Sequence, residues 1–448
     1  MEWNDGNKGN IMQELNDITY QSQSDEIITN YINTRFIRAW RGEVFHGNEN
    51  YNGLELIVDP KCNLACKYCY YDKYYKDYFP KGTSDRETIL ANAKSISDAL
   101  VANKLFPEIT LFSGDITYRS IAIELVEQLS GFIKSGGLVT IPTNATFLTN
   151  EEQTKKMEEV CEKYKILLSL SVEGKYCEHS RPYKGMQKEI RDDAYYDRVF
   201  KFAKKFNFGF HPMIHASNIR NWKDNIDWYL DMFKKYDIPP YALYLLEVRN
   251  NDWTNEDIII YGEFIEYLVH KVFKFVCNSD HSKFLEFLFE QHGMNTLSNI
   301  FFSVGRGITC SIQSTLGVRL GDMSIFPCHR LAYPWFEIGK LKVPEFKVYD
   351  VKKAELMLGV HSADVSNFPG CDYCMINKLC SGCCLGQQYE SSYDLFYPDR
   401  NVCRLLHMKI RSLLKAYKDL DMLHHILTLI KNPETLNQVL AFCEVNNI

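Results

Sequence analysis

The sequence predicts an α/β protein: a partial (β/α)6 TIM barrel followed by a loop-rich domain bearing clustered cysteines. Two observations lead there. From Leu54 onward, short β-rich runs alternate six times with helical runs. After about residue 280 that alternation gives way to cysteines, glycines and aromatics through roughly residue 404. Strands that are each followed by a helix require parallel pairing and right-handed crossovers. Six such units fall short of the eight that close a full barrel, so an open barrel is expected, with its mouth at the C-terminal strand ends.

The elements follow in order. Residues 1–52 are polar and irregular, an N-terminal extension with one helix expected around Asp25–Arg41. Strands are expected at Leu54–Val58, Ile109–Phe112, Leu138–Pro142, Ile166–Val172, Phe210–Ile214 and Ala242–Val248. Helices are expected between and after them at Arg86–Asn103, Ser120–Lys134, Glu151–Lys163, Asp193–Phe206, Asn221–Tyr236 and Asn255–Val276. The barrel therefore occupies 53–280 and a linker 281–308. The cysteine-rich domain spans 309–404, and a helical tail 405–448. The cysteine-rich stretch has little apolar periodicity with which to build a core, and metal clusters would supply the missing cross-links.

Composition narrows the partners. With 46% hydrophobic and 24% charged residues the chain reads as an ordinary soluble globular protein. A net charge of −6 offers no basic field for nucleic acid or an anionic membrane. The first residues lack the basic-then-apolar pattern of a signal peptide, and no apolar run reaches the ~18 residues of a membrane span. A cytoplasmic location is expected.

Fifteen cysteines then stand out, since thiols in that compartment stay reduced. Cys161, Cys177, Cys277 and Cys443 sit alone and read as small buried hydrophobes. The other eleven form two tight groups and an isolated pair, which points to metal or catalysis.

The first group, in DPKCNLACKYCYY, sets Cys62, Cys66 and Cys69 at C-x3-C-x2-C spacing directly after the first strand. Three thiolates can hold three irons of a [4Fe–4S] cluster, which leaves the fourth iron open to a small molecule. A structural zinc site instead wants four closed ligands. This spacing, with Asn63, Leu64 and Tyr68 beside it, resembles the signature of the radical S-adenosylmethionine (SAM) superfamily. The resemblance implies that SAM chelates the open iron through its amino and carboxylate groups. One electron then splits the sulfonium, and a 5′-deoxyadenosyl radical takes a substrate hydrogen. An external one-electron donor, a flavodoxin or ferredoxin, is implied too.

Further loop residues match the same pattern. Ser113, Gly114 and Asp115 stand where the family usually has Gly-Gly-Glu, so Asp115 is expected on the cosubstrate ammonium. Thr143 and Asn144 follow the third strand at a family position near the site. Ser171 and Glu173 resemble the Ser-x-Asp-Gly that meets ribose, and Arg181 the arginine on the cosubstrate carboxylate. Tyr68, Tyr70, Tyr71, Tyr74 and Tyr75 read as shielding and packing around the cluster loop, one or two of them free to touch adenine.

The second group, GCDYCMINKLCSGCC, contains Cys371, Cys374, Cys380, Cys383 and Cys384, with Cys403 downstream and Cys310 and Cys328 upstream. Taken alone it fits zinc ribbons as well as iron–sulfur. With the upstream motif it resembles the SPASM domain of peptide-modifying radical enzymes, which implies two auxiliary [4Fe–4S] clusters and three in all. Carried across, Cys371, Cys374, Cys380 and Cys403 ligate the distal cluster, and Cys310, Cys328 and Cys384 the nearer one. Cys383 or Cys384 fits the last position, spacing favouring Cys384. With only three protein ligands, the nearer cluster would keep an iron open to water, Cys383 or a substrate thiolate.

The stretches Cys310–Gln313, Arg319–Asp322, Pro327–Arg330, Phe210–Ile214 and Leu246–Arg249 resemble maturases of ribosomally made peptides. Sulfatase maturases carry an aspartate base where this chain has His329, which weakens that reading; His329 is a candidate catalytic base or, equally, a structural histidine beside the cluster. Glu247 and Arg249, leaving the last strand, are expected to grip the peptide or to pair with each other. The expected activity is radical modification of a precursor peptide, with a cysteine-rich one as a candidate, forming a thioether or carbon–carbon cross-link. Formylglycine formation in a sulfatase is the second enzymatic reading, and a non-catalytic zinc scaffold the reading from another class.

Overall fold

The computed structural model describes residues 53–79, 85–185, 190–248, 253–289, 297, 315–343, 368–380 and 384–448. The helix expected around Asp25–Arg41, together with Arg249, Cys310 and Cys383, lies outside the described residues.

The six expected strands form, mostly within a residue or two of their predicted bounds. They are β1 (Gly53–Ile57), β2 (Glu108–Phe112), β3 (Val139–Thr143), β4 (Leu167–Leu170), β5 (Met213–Ile214) and β6 (Leu246–Glu247). The last two are shorter than expected. Single parallel bridges, Leu170 to Phe210 and Phe210 to Leu243, carry the wall on from β4 to β5 and β6. All of these pairings are parallel, as the βα repeat requires.

Each crossover helix is where the apolar period places it. They are α1 (Arg86–Ala102), α2 (Ile121–Gln128) with its short continuation α3 (Ser130–Lys134), α4 (Glu151–Tyr164), α5 (Asp193–Phe206), α6 (Trp222–Tyr236) and α7 (Asn255–Cys277). Side-chain caps start several of them. Asp85, Asn150 and Asp192 accept from backbone N–H groups of the first turn, and Thr254 with Asp257 forms a reciprocal capping box on α7. Asn207 and Asn278 stop α5 and α7 in the left-handed conformation that asparagine tolerates. One continuous core fills the space between sheet and helices.

The cysteine-rich segment contributes more regular structure than its sequence suggests. β7 (Thr315–Arg319) pairs parallel with β1 along its whole length, Gly53 against Thr315 through Ile57 against Arg319. β8 (Ser324–Phe326) and β9 (Gly339–Lys340) continue antiparallel, giving the order β4-β3-β2-β1-β7-β8-β9. Gly317 is needed there, because a Cβ would stand 2.9 Å from the Cys328 carbonyl carbon. A second apolar cluster joins Ile57 and Tyr71, flanking the first cysteine loop, to Phe326, Leu331, Tyr333 and Leu385.

Helix α8 (His281–Phe289) lies in the expected linker. α9 (Leu385–Ser392) lies within the cysteine-rich segment, and α10 (Arg400–Asp419), α11 (Leu423–Leu429) and α12 (Pro433–Asn446) follow. α10 packs along α7 and runs straight through the expected boundary at 404/405, so barrel, cysteine segment and tail share one helix face. No helix among the described residues is long and apolar enough to cross a membrane.

Candidate active site

The mouth of the barrel is built on the loop that leaves β1. Asp59, buried, turns that loop by accepting from Lys61 N at 3.0 Å, and Arg119 clamps the same carboxylate with two bonds of 2.8 Å. The β2 loop lies directly against it, with Gly114 N donating to Asp59 O and Asp115 N to Lys61 O. A Cβ on Gly114 would approach Lys61 O to 2.5 Å, so only glycine fits. The close approach at Gly114 is made to the cysteine loop itself. On its other side the loop is zipped to residues 180–184 by Ala65 N to Pro182 O, Lys67 N to Ser180 O and Lys184 N to Asn63 O.

Cys62, Cys66 and Cys69 are half-buried on this braced loop and face one another. Burial, with Asp115 and the two other thiols nearby, pushes the Cys62 thiol up to about 12. Burial and Cys66 push Cys69 up to about 11. Burial raises Cys66 too, against the opposing pull of the Arg181 guanidinium. Polar hydrogens already point at the sulfurs: Leu64 N lies 3.4 Å from Cys62 Sγ, Asp72 N 3.4 Å from Cys69 Sγ and Asn144 Nδ2 3.7 Å from Cys62 Sγ. Donors of this kind suit thiolates that carry charge when bound to metal. Among the described residues, no three His, Cys, Asp or Glu side chains converge tightly enough to hold a single ion. The wider spread of three coupled thiols is compatible with a multi-iron cluster.

The residues expected around the cosubstrate gather at this mouth in different roles. Asp115 is buried, and its two oxygens accept four bonds: from Thr117 N at 2.7 Å, Thr117 Oγ1 at 2.8 Å, Thr143 Oγ1 at 3.2 Å and Asn144 N at 2.6 Å. It pins the β2 loop to the β3 loop, where the sequence suggested an acceptor open to an ammonium. Asn144 is thereby aimed at the cysteines, its Nδ2 donating to Asn63 Oδ1 at 2.9 Å. Glu173 is fully buried and takes bonds from Tyr68 Oη and from Met213 N at 2.8 Å, so it braces the loop and does not face the opening. Burial pushes its carboxyl up to about 7, with Arg181 opposing. Arg181 is buried between Cys66, Glu173 at 3.8 Å and the Ser171 carbonyl. Ser113 and Ser171 stay half-exposed at the strand ends, and the Ser171 backbone N donates to Thr143 O at 2.7 Å.

The brace behind Glu173 was not legible in the sequence. Glu178 accepts from Glu173 N at 2.9 Å and pairs with Arg191 at 2.5 Å, and Arg191 returns to the Arg181 carbonyl at 2.7 Å. A salt bridge across a loop carries no periodic signal.

The later cysteines gather into two neighbourhoods. Cys371, Cys374, Cys380 and Cys403 are neighbours: burial, with Cys380 and Cys374 nearby, pushes Cys371 up to about 11, and burial, with Cys380, Cys371 and Cys374 nearby, pushes Cys403 up to about 12. Cys328 is buried near Cys384 and is pushed up by burial, Glu55 and Cys384. Cys384 is the N-cap of α9. Both sets are thiol-rich and protected, which suits iron–sulfur ligation.

His329 reaches from beside Cys328 to the inner face of the barrel. Its ring stacks on Phe112 with centroids 3.6 Å apart, and Nδ1 lies 3.0 Å from Glu55 Oε2, an electrostatic contact without an aligned hydrogen bond. Glu247 departs from expectation: its carboxylate is buried between Tyr261 Oη of α7 and Lys409 Nζ of α10 at 2.9 Å. It ties barrel to tail, because a buried carboxylate needs such partners.

Comparison with known proteins agrees with this geometry. The Radical SAM superfamily matches residues 56–229. No curated protein sequence matches the chain. Among solved structures, anSMEcpe with bound AdoMet superposes with a TM-score of 0.54 at 17% identity, covering 82% of this chain and 98% of that one. Native anSMEcpe with bound AdoMet and the Kp18Cys peptide gives 0.53 at 16%, covering 84% and 100%. At such identities the likeness is one of fold. The family match, the C-x3-C-x2-C loop and the parallel strands coincide: residues 56–229, which carry Cys62, Cys66 and Cys69 at the barrel mouth, match the Radical SAM superfamily.

Proposed function

We propose that this protein is a radical SAM enzyme that modifies a precursor peptide, forming a thioether or carbon–carbon cross-link, with three [4Fe–4S] clusters and SAM as cofactors. The observation that carries this reading is the placement of a second thiol pair, Cys328 and Cys384, beside the loop of the first three. A reduced cluster with SAM bound supplies a carbon radical that takes hydrogen from an unactivated C–H bond. The chain's own residues do the rest. Cys62, Cys66 and Cys69 would hold the first cluster, Asn144 donates toward Cys62, and Ser171, half-exposed just past β4, would meet the cosubstrate. Asp115, Glu173 and Arg181 keep that wall rigid, which keeps a reactive species against its target and away from water.

Cys310, Cys328 and Cys384 hold the nearer auxiliary cluster, and Cys371, Cys374, Cys380 and Cys403 the distal one. A nearer cluster with three protein ligands would accept a substrate thiolate, so a cysteine-containing peptide fits best. The peptide bound to anSMEcpe offers a precedent on the same fold. A one-electron donor of the flavodoxin or ferredoxin kind, in the cytoplasm, completes the scheme.

The test is anaerobic reconstitution followed by incubation with a cysteine-rich peptide and, separately, a sulfatase peptide. A cross-linked product lighter by two hydrogens supports the reading. An aldehyde trapped by a hydrazide, formed from the sulfatase peptide alone, would replace it with formylglycine formation. Zinc without iron after reconstitution would remove radical chemistry altogether.

A further inference from the structure

We propose that His407 belongs to the distal cysteine site, donating its Nε2–H to the Cys374 sulfur and setting the reduction potential of the cluster there. The inference rests on reading Cys371, Cys374, Cys380 and Cys403 as the ligands of that cluster.

Helix α10 starts at the N-cap Asp399, so Cys403 sits in its first turn. His407 follows one turn later, and residues four apart share a helix face. Both side chains therefore look toward the loop that carries Cys371, Cys374 and Cys380. The imidazole reaches it: His407 Nε2 lies 3.4 Å from Cys374 Sγ, within hydrogen-bond reach of sulfur. No motif pointed to this residue, because its partner stands thirty-three positions away.

The ring is held from behind as well. Phe442 of α12 lies 6.2 Å from it, centroid to centroid. α12 is fastened to the same cysteine loop: Gln438 Oε1 accepts from Lys378 N at 2.7 Å, Gln438 Nε2 donates to Asn377 Oδ1 at 2.7 Å, and Glu434 pairs with Lys378 Nζ at 2.6 Å. The imidazole is thus wedged between the loop and the tail, with its nitrogen fixed on one sulfur.

A metal-bound thiolate has no hydrogen of its own, so the proton of this contact sits on Nε2 and the sulfur accepts it. Such a bond drains negative charge from the ligand. It favours the reduced, more negative cluster and raises its potential. His407 acts through Cys374 and is a positioning residue.

The experiment compares the full-length wild-type chain with His407→Leu and His407→Gln after anaerobic reconstitution, reading iron content and the potentiometric EPR titration of each cluster. His407→Leu is expected to keep its iron while one midpoint potential moves to a more negative value and the others stay. His407→Gln, which retains an N–H donor, is expected to stay closer to wild type. Unmoved potentials in His407→Leu would overturn the proposal, since packing alone would then account for the ring. Loss of iron from a folded His407→Leu would also overturn it, by making His407 a ligand. Cys371→Ala separates the underlying reading: if that variant holds as much iron as wild type, the distal ligand assignment has failed. If Cys371→Ala loses iron and His407→Leu shifts nothing, only the role of His407 has failed.

Discussion

The Arg330 guanidinium carbon lies 4.6 Å above the ring of Tyr70. The neighbour of Cys69 thereby meets the residue two beyond Cys328, and the two cysteine regions are joined by a direct contact. Glu390 holds the other side of Arg330 with bonds of 2.9 and 2.5 Å. Gly386 makes room, since a Cβ there would stand 2.8 Å from Arg330 Cγ.

Arg330→Met should therefore be costly. It removes the paired cation from a carboxylate buried in α9, and breaking such a pair costs about 3–5 kcal/mol. The urea midpoint should fall by that equivalent. Arg330→Lys should recover only part of the loss, having no bidentate fork.

Cys66→Ala should abolish release of 5′-deoxyadenosine from SAM and lower iron by about four atoms per chain. Cys374→Ala should lower iron similarly, yet spare some cosubstrate cleavage while losing the peptide product. Chromatography of the nucleoside and iron analysis check both. Normal cleavage by Cys66→Ala would show that the first loop had been misassigned.

Glu247→Gln separates a structural tie from a peptide grip. Its carboxylate accepts from both Tyr261 and Lys409, and hydrogen bonds to charged groups are worth about 1.5–3 kcal/mol each. The variant should unfold at lower temperature and keep the KM for peptide. A raised KM with unchanged stability would return Glu247 to the substrate.

Asp322 gives a pH signature. Burial alone would raise its carboxyl, but bonds from Arg319, Lys340 and Ser324 hold it well below the usual carboxylate range. A depressed folded pKa contributes stability in full above the unfolded value of about 3.9, lost only as pH falls toward the folded one. Asp322→Asn should cost about 3 kcal/mol, the lower end for a buried pair because Glu337 remains 3.9 Å from Arg319. The deficit, read by urea unfolding, should be the same at pH 7.5 and pH 5.5.

Much of the barrel was legible because its apolar residues repeat with the helix and strand periods. Val199, Phe200, Phe202 and Ala203, spaced along α5, are all buried. β7 was not legible, since Thr315–Arg319 is short, contains Gly317 and takes its register from β1 far upstream. The cysteine groups were legible from spacing. The partners of Asp115 were not, because Thr117, Thr143 and Asn144 reach it from loops that composition cannot align. Glu247 misled for the same reason: alternation says which residues leave a strand, and only packing says that Lys409 waits for one of them.

The seat of β1 between β2 and β7 governs the order of assembly. Gly53 acquires its second neighbour only when Thr315 has been synthesised, and pairings so distant in the chain form slowly. Until then the strand leading into Cys62 has an unsatisfied edge, open to mispairing with another strand.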